Sequence, residues 1–231
     1  MYPFIILCGG LATRLGSIAL SSPKCLLEVN NKPFLYYQLS LLEKIGPLDV
    51  YLSVGHLSDK FDNFLNNFKF KNLNIKLIND GPIALGTGGA VKNILKNIDT
   101  PAFVMYGDSF LRVNFVEVFN AYDNNNSEGP LLVIYKNNGK FDTSNVFFDG
   151  NTITYSKTIP NSLADHIDYG VSIYKYSDFD ETRESFDLSV VQERFSRQKK
   201  LQHFIADKRF IEIGTPESYR EAEKYFSKHE N

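Results

Sequence analysis

The sequence predicts an α/β fold in which helices flank a doubly wound, mainly parallel sheet. Short apolar runs alternate with longer amphipathic runs along the 231 residues. In the first half, this alternation is typical of β-α-β units, which bring parallel strands into one sheet. Beyond Ser127 the pattern becomes richer in strands, which predicts an antiparallel extension.

The first half of the chain supplies the parallel part of this prediction. Its apolar runs predict strands at Pro3–Cys8, Asp49–Val54, Leu73–Asn79 and Ala102–Tyr106. Its amphipathic runs predict helices at Pro33–Lys44, Leu57–Phe68, Gly88–Asn97 and Phe115–Asp123.

The second half adds strands, turns and two helices. The predicted strands are Leu131–Tyr135, Asn145–Phe148 and Tyr169–Tyr174, with turns at Asn137–Gly139 and Asp149–Asn151. The predicted helices are Leu188–Phe195 and Pro216–His229. At the start of the last helix, Thr215 can cap, Pro216 suits the first helical position and Glu217 complements the helix dipole.

Composition and charge exclude several classes of protein. With 25 Lys and Arg against 27 Asp and Glu, the net charge is −2, which argues against an extended nucleic acid or an anionic membrane as the partner. The opening run Pro3–Cys8 is too short for a membrane span and lacks the basic start of a signal peptide. Two cysteines are too few for a disulfide framework. We therefore expect a cytoplasmic protein.

A glycine-rich turn after the first strand is the most informative segment. Gly9 and Gly10 let backbone N–H groups approach a phosphate closely, and Arg14 offers a forked donor for phosphate oxygens. Ten residues later, Lys24 follows a proline and can reach the same phosphates as a compact point charge. The alternative is an ordinary strand–helix turn with two solvent-facing cations.

Two carboxylates at later strand ends support a phosphate site. Asp108 follows the apolar strand that ends before Gly107, and Glu212 alternates with apolar residues just before the last helix. A carboxylate between buried side chains is costly unless it is paired, hydrogen-bonded or bound to metal. Mg²⁺ usually takes one or two carboxylates plus substrate phosphates. The alternatives are a turn or N-cap role for Asp108 and a salt bridge for Glu212.

A third segment, Leu85-Gly86-Thr87-Gly88-Gly89-Ala90, opens a predicted helix. Its glycines would permit a flat ligand such as a nucleobase to lie against the backbone. Glycine-rich helix starts are common, so this segment has little weight by itself.

Together these segments resemble the sugar-phosphate nucleotidyltransferases, also called nucleotide-sugar pyrophosphorylases. The matching motifs are LCGGLATRLG, SPKCLLEVNNKPFL, LGTGGA, YGDS, Tyr155-Ser156-Lys157, IDYG and FIEIGTP. They run from residue 7 to residue 216, and the chain's size is similar to that of small bacterial members that transfer guanylyl or uridylyl groups. The resemblance implies a Rossmann-like, GT-A-like nucleotidyltransferase fold. It implies one domain over residues 1–231, with a nucleotide-binding half up to about residue 125 and an acceptor-binding half after it that also carries the second metal ligand.

The resemblance also implies roles for individual positions. The catalytic cations would be Arg14, which holds the leaving pyrophosphate, and Lys24, which neutralises charge at the α-phosphate. The residues along the nucleotide would be Gly9, Gly10, Thr13, Gly86, Thr87 and Gly88. The ligands of Mg²⁺ would be Asp108 and Glu212. The residues around the acceptor would be Lys157, which binds its phosphate, and Asp168, Tyr169 and Gly170.

Two positions depart from the family pattern. Glu212 stands where aspartate is frequent, so the carboxylate is one methylene longer and could reach the ion directly or through water. Ser156 precedes the acceptor lysine where glutamate is frequent, which removes a carboxylate that could bind sugar hydroxyls.

The implied reaction transfers a nucleoside monophosphate from a triphosphate to a sugar 1-phosphate, for cell-surface polysaccharide or capsule biosynthesis. The sequence does not specify the base, because backbone contacts to a base involve few side chains. It does not specify the acceptor either, because Ser156 also permits a non-sugar phosphate or phosphonate. Two other classes are a glycosyltransferase, for which Asp178-Phe179-Asp180 would be the metal motif, and a non-catalytic sensor of nucleotide-sugars. We interpret the Asp178–Asp180 segment as a solvated acidic loop. The basic run Arg197–Lys200 indicates a solvated turn or, if functional, a subunit contact, so a homodimer also stays open.

Overall fold

The computed structural model describes residues 1–10, 22–55, 58–81, 84–124, 128–141, 143–158, 163–180 and 182–229. The predicted site residues Thr13 and Arg14 lie outside the described residues. The chain divides into two compact units. Unit 1 comprises Met1–Tyr2, Leu85–Val104 and Arg112–Arg209, and unit 2 comprises Pro3–Ala84, Met105–Leu111 and Phe210–Asn231.

Strands and helices alternate along the first half, as predicted. The strands are β1 (Phe4–Leu7), β2 (Glu28–Val29), β3 (Lys32–Pro33), β4 (Leu48–Val54), β5 (Leu73–Asn79), β6 (Ala102–Tyr106) and β7 (Ser109–Phe110). The helices are α1 (Phe34–Glu43), α2 (Asp59–Asn67), α3 (Gly86–Leu95) and α4 (Phe115–Asn124). Strands predominate after α4.

The second half contains β8 (Leu131–Lys136), β9 (Val146–Phe148), β10 (Ile153–Tyr155), β11 (His166–Tyr174), β12 (Gln202–Ala206) and β13 (Ile211–Glu212). Its helices are α5 (Ser189–Arg197) and α6 (Pro216–His229). Thr215 caps α6 as predicted, because its side-chain oxygen accepts the backbone N–H of Ser218 at 3.2 Å.

Unit 2 contains a parallel sheet in which β4 lies between β1 and β5. Parallel strands need a crossover connection of about a dozen residues or more, usually a helix, and the chain supplies α1 between β1 and β4 and α2 between β4 and β5. Leu27, Val29, Phe34, Ile213 and Ala222 form part of one buried cluster in this unit. In the same cluster the rings of Tyr37 on α1 and Phe226 on α6 stack with centroids 3.8 Å apart. These contacts hold the last helix against the parallel part of the fold.

Unit 1 contains the antiparallel extension. Strand β11 pairs antiparallel with both β8 and β9, and β9 pairs antiparallel with β10. The predicted turn after β8 has Asn138 and Gly139 with positive φ angles of 49° and 67°, a conformation that Asn and Gly tolerate well. Strand β12, which the apolar pattern does not predict, pairs parallel with β8.

The α/β prediction with a mainly parallel sheet and an antiparallel extension is confirmed. Among the described residues, no helix is both long enough and apolar enough to span a bilayer. The basic run at residues 197–200 is exposed, in agreement with a solvated turn.

Candidate active site

The glycine turn and the predicted catalytic lysine meet in unit 2. Strand β1 ends where the N–H of Cys8 donates to the carbonyl of Ser53 at 2.8 Å, and Gly9 and Gly10 follow. The chain returns so that the backbone N–H of Lys24 donates to the carbonyl of Gly10 at 3.2 Å. Lys24 begins a short 3₁₀ turn immediately after Pro23. A proline at this point fixes φ and thereby helps to fix where the lysine side chain starts.

Lys24 and Asp108 form an ion pair across 84 positions of sequence. The Lys24 ammonium donates to Oδ2 of Asp108 at 2.5 Å, and Ser109 Oγ donates to the other carboxylate oxygen at 3.2 Å. Gly107 places this carboxylate, because its N–H donates to the Leu7 carbonyl at 3.0 Å. A Cβ at Gly107 would lie 2.8 Å from that carbonyl oxygen, so only glycine permits this approach.

Glu212 reaches the same place from the C-terminal part of unit 2. Strands β13 and β7 pair antiparallel with Glu212 opposite Ser109, and the N–H of Ile213 donates to the Asp108 carbonyl at 3.2 Å. A Cβ on Gly214 would lie 3.1 Å from Glu212 Oε2 and 3.6 Å from the Lys24 ammonium. The structure therefore brings together both predicted metal ligands and one predicted catalytic cation.

This group of residues has the chemistry of a phosphate and cation site. Within the described residues, no three His, Cys, Asp or Glu side chains form a group that could hold a metal ion. The two carboxylates would therefore need further oxygen ligands, and phosphates of a substrate are the usual ones for Mg²⁺. Their ammonium neighbour, Lys24, adds a fixed positive charge for the same phosphates.

Asp80 is a carboxylate beside the glycine turn, and none of the sequence motifs includes it. It follows β5, and Ser53 Oγ donates to its two oxygens at 3.1 and 3.2 Å. A Cβ on Gly9 would lie 3.9 Å from Asp80 Oδ2. Burial raises the pKa of the Asp80 carboxyl, and the Ser53 hydrogen bond offsets part of that rise. Its position after a parallel strand is the signal that could have identified it.

The glycine-rich start of α3 lies in unit 1 and has a packing reason for its composition. The N–H groups of Gly88 and Gly89 donate to the Phe186 carbonyl at 3.0 and 3.3 Å. A Cβ on Gly88 would lie 2.2 Å from the Phe186 ring, and one on Gly86 would lie 2.5 Å from the Phe186 carbonyl oxygen. The contact of Gly86, Thr87 and Gly88 with a nucleobase stays a prediction.

The predicted acceptor-phosphate residue, Lys157, also lies in unit 1 and has two acidic neighbours. Its ammonium donates to Asp187 Oδ2 at 2.7 Å, and its backbone N–H donates to Glu193 Oε1 at 3.3 Å. Partial burial favours a higher pKa for Asp187, but hydrogen bonds from Lys157 and from the Ser189 N–H outweigh it and lower that pKa. Neither Asp187 nor Glu193 belongs to a motif that the sequence singled out.

A carboxylate lies beside Ser156 although the sequence has none at that position. Glu193 Oε1 is 3.5 Å from Ser156 Oγ, which also lies 3.1 Å from Thr158 Oγ1. Helix α5 thus brings an acidic group to the turn from which the family's usual glutamate is missing.

The remaining predicted acceptor residues, Asp168, Tyr169 and Gly170, lie on strand β11, where the side chains of Asp168 and Tyr169 have different surroundings. Asp168 accepts the Gly170 N–H at 2.9 Å and the Gln192 amide at 3.1 Å. Burial raises the pKa of Asp168 to about 6, although these hydrogen bonds and the Lys157 charge oppose the rise. Tyr169 is fully buried, and its hydroxyl donates to the Lys208 carbonyl at 2.7 Å. Acceptor binding by Asp168, Tyr169 and Gly170 stays a prediction.

The interpretation of the Asp178–Asp180 segment as a solvated acidic loop is wrong for Asp178. Only 2% of Asp178 is exposed, and its carboxylate accepts the Lys175 N–H at 2.9 Å within a 3₁₀ turn. Burial raises its pKa to about 6. The Arg194 guanidinium donates to the carbonyls of Asp178 and Asp180, so the segment supports local structure.

A match to a known protein family shows the family of this chain. Residues 4–170 match the family described as the MobA-like NTP transferase domain. The chain belongs to this family. The resemblance noted from the sequence motifs is therefore confirmed, and the protein is a nucleotidyltransferase.

Two relatives of this nucleotidyltransferase match over nearly their whole length. The D-glycero-α-D-manno-heptose 1-phosphate guanylyltransferase of Campylobacter jejuni is 32% identical, over 93% of this chain and 96% of the relative. The enzyme of the same name from Aneurinibacillus thermoaerophilus is 30% identical, over 95% of this chain and 96% of the relative. The crystal structure of HddC from Yersinia pseudotuberculosis has the same fold, with a TM-score of 0.79, 23% identity and coverage of 98% of this chain and 100% of that one.

These matches confirm the predicted class of enzyme, a sugar-1-phosphate nucleotidyltransferase that uses a nucleoside triphosphate.

Proposed function

We propose that this nucleotidyltransferase transfers the guanylyl group of GTP to D-glycero-α-D-manno-heptose 1-phosphate and releases pyrophosphate. The observation that carries the proposal is the convergence of Lys24, Asp108 and Glu212 beside the C-terminal ends of β1 and β6, the end of the strands at which open α/β sheets bind ligands. The choice of base and acceptor follows the two full-length relatives, whose names specify this reaction.

Mg²⁺ is the proposed cofactor, held by Asp108 and Glu212. Their carboxylate oxygens are hard ligands. Asp108 pairs with the Lys24 ammonium, and Glu212 Oε2 lies near that ammonium beside Gly214, as a site shared with a polyphosphate requires. When bound, the ion supplies positive charge to the phosphates and to the departing pyrophosphate.

The chemical step we infer is a substitution at the α-phosphorus of GTP. An oxygen of the heptose phosphate forms the new P–O bond, while the bond between the α-phosphorus and the bridging oxygen breaks and pyrophosphate leaves. The attacking phosphate is already ionised near neutral pH, so this step needs no general base. The chain's contribution is charge and position. Lys24 neutralises the α-phosphate, Arg14 holds the leaving group and Lys157 holds the acceptor phosphate.

A pyrophosphate-release assay tests the proposal directly. The purified protein is incubated with Mg²⁺, each of GTP, UTP, CTP, dTTP and ATP, and a panel of acceptors that includes heptose and mannose 1-phosphates. We expect the highest kcat/KM with GTP and the heptose 1-phosphate. Higher values with another base or sugar would overturn that assignment, and release only with a phosphonate or non-sugar phosphate would favour the alternative acceptor class.

The reverse reaction separates this enzyme from a glycosyltransferase or a sensor. Incubation of GDP-heptose with pyrophosphate should form GTP, because the proposed transfer is reversible at the phosphorus. A glycosyltransferase would break the sugar–oxygen bond and form no GTP, and a sensor would bind the nucleotide-sugar without turnover.

We further propose a cytoplasmic reaction that supplies an activated sugar for cell-surface polysaccharide or capsule. A nucleoside triphosphate substrate and two free, buried cysteines are consistent with a reducing, nucleotide-rich compartment. Cell fractionation tests the compartment, and loss of a heptose-containing surface polysaccharide on gene disruption tests the pathway. The proposal of a homodimer is tested by light scattering, where a monomeric mass would contradict it.

A further inference from the structure

Asp187 connects two segments of unit 1 that the proposed function assigns to different substrates. Its Oδ2 accepts the Lys157 ammonium at 2.7 Å, on the turn proposed to hold the acceptor phosphate. Its Oδ1 accepts the Thr87 hydroxyl at 3.3 Å, in the first turn of α3, which is proposed to hold the nucleotide. One carboxylate therefore contacts both segments, which are separated by about 70 positions in sequence.

The Asp187 carboxylate is itself held by the backbone at the start of α5. Its Oδ1 accepts the Ser189 N–H at 3.2 Å, and the Leu188 N–H donates to Thr87 Oγ1 at 2.9 Å. These bonds leave Oδ2 directed to Lys157. The orientation of the carboxylate is thus set by the junction of α5 with α3, and only one of its oxygens is used for the lysine.

Lys157 is a residue that benefits from such a partner. Its side chain and that of Asp187 are each about half exposed, at 53% and 52%. A free lysine side chain loses rotamer entropy when it binds a ligand, and a partner that already holds it reduces that loss. An ammonium has three donors, so the contact with Asp187 leaves two for a phosphate. The backbone of Lys157 is fixed separately through Glu193.

We propose that Asp187 is a positioning residue that holds the Lys157 ammonium ready for the acceptor phosphate and links it to the Thr87 turn. The inference rests on the proposed function, because that function gives Lys157 its ligand. Asp187 does not touch the acceptor in this scheme. It acts through Lys157, and its removal should weaken acceptor binding without changing the contacts of Lys157's backbone.

A double-mutant cycle isolates this action. Asp187→Asn removes the charge, while its amide oxygen can still accept the Ser189 N–H, so the start of α5 is retained. Because exposed ion pairs contribute little, we expect the KM for the acceptor to rise about two- to fivefold with the KM for GTP unchanged. Lys157→Ala should raise the acceptor KM by roughly 10–100-fold, as for loss of a charged hydrogen bond. In the Lys157→Ala background, Asp187→Asn should have no further effect.

Glu117→Gln is the matched control, since it removes one exposed carboxylate from α4 of the same unit and should leave both KM values unchanged. Equal effects of Asp187→Asn with and without Lys157 would overturn the inference, because they would indicate a general structural role. An unchanged acceptor KM in Asp187→Asn or in Lys157→Ala would overturn it as well.

Binding of inorganic phosphate, measured by calorimetry on the same four proteins of the cycle, requires no turnover. We expect the same coupling there, with a weaker phosphate affinity in Asp187→Asn only when Lys157 is present. If the unaltered protein released no pyrophosphate from GTP and heptose 1-phosphate, the proposed function would fail, and the phosphate cycle would still decide the role of Asp187. Additive or absent effects in that cycle would overturn the inference.

Discussion

The two lysine–carboxylate pairs of this protein differ in what surrounds them. In unit 2, Lys24 and Asp108 are 18% and 32% exposed, and their nitrogen and oxygen are 2.5 Å apart. In unit 1, Lys157 and Asp187 are 53% and 52% exposed and 2.7 Å apart. Water screens the second pair more strongly, so the same charges interact more weakly there.

The backbone also holds the first pair more firmly than the second. Asp108 is placed by a glycine pressed against the Leu7 carbonyl and by the β7–β13 pairing that also brings Glu212. Lys157 lies on an exposed turn, where it contacts the side chains of Glu193 in α5 and of Asp187 just before that helix. The comparison indicates a rigid charged centre in unit 2 and an adjustable, side-chain-supported lysine in unit 1.

The largest expected effect is that of Lys24→Ala. Removal of the ammonium takes away a preorganised charge and leaves Asp108 without its ion-pair partner, so turnover should fall by roughly 10²–10³. Pyrophosphate release at saturating substrates measures this loss. Lys69→Ala is the matched control, because Lys69 is an exposed lysine of unit 2 whose ammonium donates to the Leu65 carbonyl at 2.7 Å. Near-normal turnover of Lys24→Ala, or a larger loss in turnover with Lys157→Ala, would contradict the comparison.

The next effect concerns Glu212→Gln and the proposed metal. Loss of one anionic oxygen ligand, or of its bound water, should raise the Mg²⁺ concentration for half-maximal activity by roughly 10–100-fold. Activity should disappear on chelation and return with added Mg²⁺. Glu217→Gln, an exposed change in the first turn of α6, serves as control. The same Mg²⁺ dependence in Glu212→Gln and the unaltered protein would remove Glu212 from the metal site.

Gly107→Ala tests the rigidity of the unit 2 centre. The new Cβ would lie 2.8 Å from the Leu7 carbonyl oxygen and 3.2 Å from Cys25 Cβ, so the backbone would have to shift. We expect a loss of about 1–3 kcal/mol in the free energy of unfolding, measured in urea, together with reduced turnover. Gly10→Ala is the steric control for stability, because no atom of the described part of the chain lies within 4 Å of its new Cβ. Equal stability of the two variants would show that the backbone around Gly107 can shift at little cost in free energy.

The smallest expected effect is a pH dependence in unit 1. Burial raises the pKa of Asp168 to about 6, so the folded protein retains a proton that the unfolded chain releases near pH 4. This group therefore stabilises the fold at low pH, and its contribution is lost as the pH rises from about 4 through 6. Asp168→Asn should remove that slope and raise the free energy of unfolding at pH 7 by about 1–2 kcal/mol.

Unfolding in urea at several pH values from 4 to 8 measures the difference between Asp168→Asn and the unaltered protein. Asp178, whose pKa is also about 6, titrates in both proteins and cancels in that difference. The buried Oε1 of Gln192 has no hydrogen-bond partner within the residues that the structure describes and could accept the new amide, which favours the variant. Parallel stability curves would show that Asp168 is solvated.

Local pattern was enough for most of the elements and for the family. The predicted bounds of β5, β6 and α6 agree with the structure, because their apolar periodicity and caps are local signals. The short strands β7 and β13 were missed, since two residues carry no periodicity and depend on each other for pairing. Strand β12 was missed because its polar Gln202 and His203 do not form an apolar run.

The sequence by itself determined the reaction class, the mainly parallel fold and the candidate residues Lys24, Asp108 and Glu212, because these follow from motifs and from strand ends. Only the tertiary structure decided their partners. It paired Lys24 with Asp108 across 84 positions and Lys157 with Asp187 across 30. It also buried Asp178, which the sequence placed in solvent. Such contacts arise from packing between segments that are distant in sequence. The local periodicity of apolar residues therefore does not predict which side chains come into contact.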